Sequence, residues 1–310
     1  MAPTADRSAL KLAPVAFVAL WSTGFITAEL GTRHADPLTL LSVRFAVASV
    51  LIGLAIPLIG GALPRRPRDV AHLSVVGVLL HGGYLGGTFY AVLLGMPPAI
   101  AALIVGLQPI LTAFFVGPVL GERMSWRHGV GLALGFAGIA LVLAGRLEPS
   151  PTGGFGFGDF GPLAIANAVL ALLSITAGVI YQKRFCADLD LVGGTFVQYA
   201  AAGAVIFGLA LVLEDNRLEW TGELIFALAW MIGALSLGAI SLLMLIIRAG
   251  EASRVTSLFY LAPPLTALMA YLLFQDALSF AMVAGMVLAG IGVMMVQRSS
   301  AGPSRVAPAP

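Results

Sequence analysis

Charge is what this sequence has least of. Asp, Glu, Lys and Arg make up 10% of its 310 residues, where a water-soluble domain carries roughly 25%. So little charge cannot cover a water-exposed surface, which leaves lipid as the main solvent. Cysteine is almost absent too. Cys186 stands alone, so no internal disulfide can form. Net charge is only +2, and basic residues cluster nowhere beyond Arg65, Arg66 and Arg68, so nucleic acid is not an expected partner. A Walker A sequence is missing, which excludes ATP as the driver. Neither a metal-ligand cluster nor a nucleophile–base arrangement is present, so no cofactor and no enzymatic activity are expected. A cleavable signal peptide is not evident either: the first apolar stretch is too long for a signal h-region and reads as a retained span.

Long apolar runs are what the sequence has in abundance. Hydrophobic residues account for 59% of the chain and mean hydropathy is +0.98. Ten segments are long enough to cross a bilayer, approximately 12–30, 37–59, 72–94, 98–119, 129–145, 160–181, 191–213, 223–247, 255–274 and 277–297. They must be helices, because backbone groups in hydrocarbon have to be satisfied within the segment. Lys and Arg alternate from one connection to the next. One side of the membrane collects thirteen, the other receives Arg33, Arg146 and Arg217, and Arg44 lies within the second span. The positive-inside rule then predicts cytoplasmic N and C termini and an inner-membrane location.

The chain also repeats itself. Gly95, Leu103 and Pro109 correspond to Gly250, Leu258 and Pro264. Gly83 corresponds to Gly238 and His81 to Ser236; Ser22 and Gly24 correspond more weakly to Thr176 and Gly178. The repeat unit contains five spans, an odd number, so its second copy enters the membrane from the opposite side. The expected fold is all-α and polytopic, with ten transmembrane helices as two inverted five-helix repeats, residues 1–148 and 149–310. Inverted repeats are a transporter signature, since one design then supplies inward-open and outward-open forms.

Small residues mark the contacts. Gly131, Gly135 and Gly138 share one face of the fifth span, and Gly285, Ala289 and Gly292 one face of the tenth. These faces are expected to pack together, holding the halves or a homodimer. The third span reads His81-Gly82-Gly83-Tyr84-Leu85-Gly86-Gly87, which weakens helical preference and allows close approach or a bend beside a cavity. Pro109 in the fourth span and Pro263-Pro264 in the ninth are expected to kink their helices as paired hinges.

Polar and aromatic groups at bilayer depth are the candidates for substrate contact. They are Trp21, Ser22 and Thr23 in the first span, His81 and Tyr84 in the third, Gln108 in the fourth, Asn167 and Ser174 in the sixth, Trp230 and Ser236 in the eighth, and Tyr260 in the ninth. His81 and Tyr84, three apart, share a helix face. Arg44 is expected to snorkel to the outer interface or to pair with Glu29 or Asp36; binding a carboxylate is the alternative. No Asp or Glu lies deep in a span, since Glu29 and Glu223 fall at span ends. Tight ion coupling is therefore not expected.

The run Leu20-Trp21-Ser22-Thr23-Gly24-Phe25, then Ala35-Asp36-Pro37-Leu38-Thr39 and Arg44-Phe45, resembles the EamA family of the drug/metabolite transporter superfamily. Gly121-Glu122-Arg123-Met124-Ser125 before a glycine-studded span is similar to the end of an EamA repeat, and Gln275-Asp276-Ala277-Leu278-Ser279 is a diverged second copy. The resemblance covers roughly residues 10–298. Among its members, the YddG-like exporters of aromatic and other amino acids fit best, with His81 and Tyr84 suited to that group. It implies a small-molecule substrate, an amino acid or similar metabolite, carried by alternating access through a cavity between the halves. A carrier of nucleobases, drugs or other metabolites is the alternative within transport; an intramembrane enzyme or a passive scaffold or receptor is the alternative outside it.

Overall fold

A computed structural model describes residues 7–120, 126–145, 148–149, 155–156, 160–239, 241–242, 246, 261–276 and 278–300. Helix α1 is Arg7–Thr32 and α2 is Pro37–Ile59. The third span is one rod in three parts: α3 (Pro67–Gly77), a π-helical turn (Val78–Gly83) and α4 (Tyr84–Leu93). The fourth is α5 (Pro98–Val105) followed by α6 (Gln108–Leu120), and the fifth is α7 (Trp126–Ala144). A short antiparallel pair, β1 (Glu148–Pro149) with β2 (Phe155–Gly156), lies between the halves. Then come α8 (Pro162–Phe185), α9 (Leu191–Leu213), and α10 (Gly222–Ala229) running into a second π-helical segment, Trp230–Gly238. Helices α11 (Ala262–Phe274) and α12 (Phe280–Ser300) complete the described residues.

Local chemistry sets these boundaries. Proline stands at the first turn of α2, α3, α5 and α8, where its missing N–H costs nothing. Gly60 ends α2 in the left-handed conformation at φ 72°. The Asp190 carboxylate caps α9 by accepting from Gly193 N at 2.8 Å, and Thr221 Oγ1 caps α10 by accepting from Leu224 N at 3.2 Å. Among the described residues, six helical segments are long and apolar enough to cross a membrane alone, and four further apolar helices are shorter. Leu54, Leu58, Val212, Leu272 and Phe280 turn large apolar side chains outward, as a lipid-facing surface requires.

The two halves are inverted copies that pack against one another through equivalent helices. Helices α2 and α9 are each 23 residues long and each follow an aspartate, Asp36 and Asp190. They pack together, as does the equivalent pair α7 with α12, and α5 of the fourth span packs on α11 of the ninth. The third helix of each half crosses to the other: the first π turn packs on α8 and α9, and the second on α1 and α2. Both π segments occupy the same place in the repeat.

The glycine faces of the fifth and tenth spans meet within one chain, as their spacing predicts. A Cβ on Gly138 would fall 2.5 Å from the Gly285 carbonyl oxygen, and one on Gly292 would fall 2.5 Å from that of Gly131. The glycines of the third span serve close approach in the same way. Gly87 lies against the backbone of Asn167 and Ala171, Gly77 against that of Gln198, and Gly83 against the Ser174 hydroxyl.

The prolines require a correction. The fourth span is not one helix kinked by an interior proline. The helix stops at Val105, turns through Gly106 and Leu107, and restarts at Gln108, leaving Pro109 in the first turn of α6. Pro263 and Pro264 likewise stand in the first turn of α11. Proline is tolerated at such positions because the N–H it lacks would have no helical partner there. The break in the fourth span meets the start of α11, since a Cβ on Gly106 would lie 3.1 Å from Pro263 Cγ. The third span also begins earlier than its hydropathy suggests, at Pro67, because the polar turn Pro67-Arg68-Asp69 continues the helix beyond the hydrocarbon.

Candidate functional site

Where the halves meet, side chains from both form one cluster, in which Trp21 and His81 are half-buried and the others buried. Trp21 comes from α1, Arg44 and Phe45 from α2, His81 from the first π turn, and Tyr84 from α4. Tyr199 comes from α9 and Ser236 from the second π segment. The Trp21 and Tyr84 rings stack, with centroids 6.2 Å apart and planes within 4°. His81 lies 4.4 Å from Tyr199 and 6.0 Å from Phe45, and Phe45 meets Tyr199 edge-on at 5.5 Å. Aromatic pairs at these separations are favourable, and π segments of this kind are frequent at functional sites.

Arg44 does not occupy the place expected of it. It is 5% exposed and its Nε donates to Ser236 Oγ at 3.3 Å. Neither expected carboxylate reaches it. Glu29 pairs with Arg33 at 3.0 Å, one helical turn along α1, and Asp36 lies against Arg217 at 3.7 Å. Those acids belong to the end of the bundle where α1 meets α2, while Arg44 is buried between the halves.

Among the other candidates, Ser236 is fully buried and donates to Met231 O at 3.0 Å. Thr23 donates to Leu20 O at 2.6 Å and accepts from Trp230 Nε1 at 2.9 Å, tying α1 to the second π segment. Ser22 is buried, donating to Val18 O at 2.8 Å, and its carbonyl accepts from the Thr266 hydroxyl of α11 at 3.3 Å. Ser174 is buried against Gly83. Gln108 donates to Thr112 Oγ1 at 2.8 Å, and Asn167 donates to Leu163 O at 2.9 Å, each within its own helix. The structure thus gathers Trp21, His81, Tyr84 and Ser236 with Arg44, and puts Ser22, Gln108 and Asn167 in helix contacts. Tyr260 lies outside the described residues.

Tyr199 and Gln198 were not legible as candidates. Gln198 lies beside His81, and both residues sit on an otherwise apolar helix. The available signal was positional: eight residues separate Asp36 from Arg44, and eight separate Asp190 from Gln198. The repeat therefore pairs Arg44-Phe45 with Gln198-Tyr199.

Two hollows flank this region. A groove of 450 Å³ between α2 and α9 runs from Thr39 and Asn216 to Phe45 and Tyr199. A cleft of 520 Å³ bounded by Glu29, Arg33, Pro97 and Asp276 opens at the end where α1 meets α2. At that same end the loop before α2 and the loop after α9 are joined. Asp36 N donates to Arg217 O at 3.0 Å, Arg217 N to Asp36 Oδ2 at 2.8 Å and Glu219 N to His34 O at 2.8 Å. His34 Nε2 is 3.0 Å from Glu223.

Relatives agree with this architecture. Two segments, residues 10–144 and 162–298, match the model of the EamA-like transporter family. The uncharacterized transporter YvbV of Bacillus subtilis is 25% identical, covering 95% of this chain and 92% of its own. The aromatic amino acid exporter YddG of Ancylobacter novellus is 29% identical over 64% of this chain and 67% of its own. The probable terminal-alkyne amino-acid exporter of Streptantibioticus cattleyicolor is 24% identical over 94% of this chain and 95% of its own. A crystal structure with 23% identity superposes at a TM-score of 0.66, covering 96% of this chain and all of the other. Ten apolar helices in two inverted halves, each half matched by the same family model, make this chain a multi-pass membrane protein of the EamA-like transporter family.

Proposed function

We propose that the protein exports amino acids or similar small metabolites across the inner membrane by alternating access between residues 1–148 and 149–310. The observation that carries this reading is the largely buried aromatic and polar cluster of Trp21, Arg44, His81, Tyr84, Tyr199 and Ser236, drawn from both halves at their seam. Substrate sites of inverted-repeat carriers lie at such seams near the bilayer midplane. Two relatives carry amino-acid exporter in their names, which supports the substrate class. The positive-inside distribution supports cytoplasmic termini. With the acidic side chains at span ends engaged in outer-face pairs, transport without a tight ion cycle fits best.

The test is counterflow of labelled amino acids, aromatics included, into liposomes holding the purified protein, with and without a pH gradient. Saturable flux indifferent to the gradient is expected. Absence of flux for every amino acid overturns the substrate assignment. A flux that follows the proton gradient overturns the uncoupled mechanism.

A further inference from the structure

Among the described residues, Arg44 is a cation without a countercharge. It lies seven residues past Pro37 on α2, about 10 Å into the span at 1.5 Å per residue. An arginine so placed is costly in a membrane protein unless something compensates its charge. Among the described residues it forms no ion pair; its Nε donates to the Ser236 hydroxyl, and Tyr199 is a second hydrogen-bond partner. Ser236 can only accept from it, because the Ser236 proton is given to Met231 O. Tyr84 and Tyr199 lie close enough to feel the charge but, as neutral phenols, do not cancel it. The acids nearest along the chain, Glu29 and Asp36, are held by Arg33 and Arg217 at the outer end.

We propose that Arg44 binds the carboxylate of the transported molecule, with Ser236 and Tyr199 orienting the guanidinium; this rests on the transport reading above. Guanidinium geometry suits a carboxylate, which two parallel N–H groups can hold at once. Ser236 takes the Nε and Tyr199 a further hydrogen bond of the guanidinium, which leaves its remaining N–H groups for the ligand. A single buried cation matches a single negative charge, which favours a monocarboxylate over a phosphate dianion. The stacked Trp21–Tyr84 pair and the His81–Tyr199 pair offer ring faces to the remainder of such a molecule. Ser236 and His81 occupy equivalent places in the two repeats, one in each π segment. The inverted halves have therefore diverged at this point, one presenting a hydroxyl to the cation and the other a ring.

The experiment compares molecules that differ only in the carboxylate. L-Phenylalanine, L-leucine and L-threonine are each titrated against their amides, reading the thermal stabilisation of the purified protein. The same probes are then used as competitors in counterflow. For the wild type, the acids are expected to bind at least tenfold more tightly than the amides. Arg44→Gln is expected to remove that discrimination, and Arg44→Lys to restore part of it, keeping the charge without the fork. Ser236→Ala is expected to weaken the acids and leave the amides unchanged, a selectivity that a purely structural arginine would not produce. Where Arg44→Gln fails to fold, Arg44→Lys and Ser236→Ala carry the same comparison. Equal binding of acid and amide by the wild type overturns the assignment, as does undiminished discrimination in the variants or the absence of stabilisation by all three acids. The two readings fail separately. Flux indifferent to the carboxylate leaves transport standing without the anchor. Carboxylate-selective stabilisation without flux leaves the anchor standing without transport.

Discussion

The Glu214 carboxylate caps the helix of the opposite half: its Oε2 accepts from both the backbone N–H of Thr39, at 2.8 Å, and the Thr39 hydroxyl, at 2.9 Å. Its other oxygen accepts from Leu38 N at 2.8 Å and from the Tyr90 hydroxyl at 2.7 Å. Asp36, the residue before α2, would ordinarily supply this cap, but its side chain is committed to Arg217. A negative charge at a helix N-terminus is stabilising through both the free N–H groups and the helix dipole. One end of the bundle is thus closed by a carboxylate from one half seated on a helix of the other.

Removing that cap should loosen this end. Glu214→Ala is expected to cost about 1–2 kcal/mol, the range for losing a helix cap with its hydrogen bonds, and to lower the unfolding temperature accordingly. It should also lengthen the spin-label distance between Arg33→Cys and Glu219→Cys in a Cys186→Ser background. Glu214→Asp keeps the charge with a shorter reach and should fall between. An unchanged distance in Glu214→Ala would remove Glu214 from any role in closure.

The glycine seam between α7 and α12 gives a contrast within one helix. Gly285→Ala places a methyl group 2.5 Å from the Gly138 carbonyl oxygen, so the two helices must separate. Overpacking of this kind costs about 1–3 kcal/mol. Gly290, five residues along, has nothing within 4 Å of an added Cβ. Gly290→Ala should therefore be neutral or stabilise by up to about 1 kcal/mol through reduced freedom of the unfolded chain. Thermal unfolding of the two variants in the same detergent decides it. Equal effects would mean the helices do not approach through these glycines.

That seam was legible because its signal is local: small residues three or four apart define one helix face without knowledge of the partner. Arg44 was misread because distance along the chain is a poor guide across a helix turn. Glu29 and Asp36 flank the α1–α2 corner, yet both pair with arginines at that end, Arg33 and Arg217, while Arg44 lies two turns deeper and is buried. Tyr199 and Gln198 were missed since an isolated polar pair in an apolar helix looks the same whether it faces lipid, a neighbour or a cavity. Only packing against the His81 turn distinguishes these. The prolines were legible as paired sites, but sequence alone could not tell a kink within a helix from the first turn of a new one.

Those breaks yield a prediction about rate. Pro109 and Pro264 stand in the first turns of α6 and α11, and the interruption in front of α6 meets the start of α11 where Gly106 lies against Pro263. Alanine at both positions restores a backbone donor and permits a continuous helix. If the breaks are hinges, the Pro109→Ala, Pro264→Ala double variant should slow counterflow several-fold and leave substrate affinity unaltered, as stiffening alone would. Equal loss of affinity would instead place the prolines in the binding site. Unchanged rates and unchanged access to both faces would end the hinge proposal.

Cys186 supplies a test of orientation that needs no engineered site. It follows the last residue of α8 and is the sole cysteine, in a connection that the positive-inside rule places in the cytoplasm. Burial, with a smaller contribution from the charge of Asp69, raises its pKa above the ordinary thiol value. The thiolate is the reactive form, so at neutral pH labelling by a maleimide should be slower than that of a free thiol. The rate should go on rising with pH beyond pH 8.5, about where an unperturbed thiol begins to level off. In intact cells a membrane-impermeant maleimide should leave Cys186 unlabelled at every pH, and labelling should begin when inverted vesicles are used instead. Reaction from the outside of intact cells would reverse the orientation of all ten spans, and would move the Glu214 cap to the cytoplasmic end.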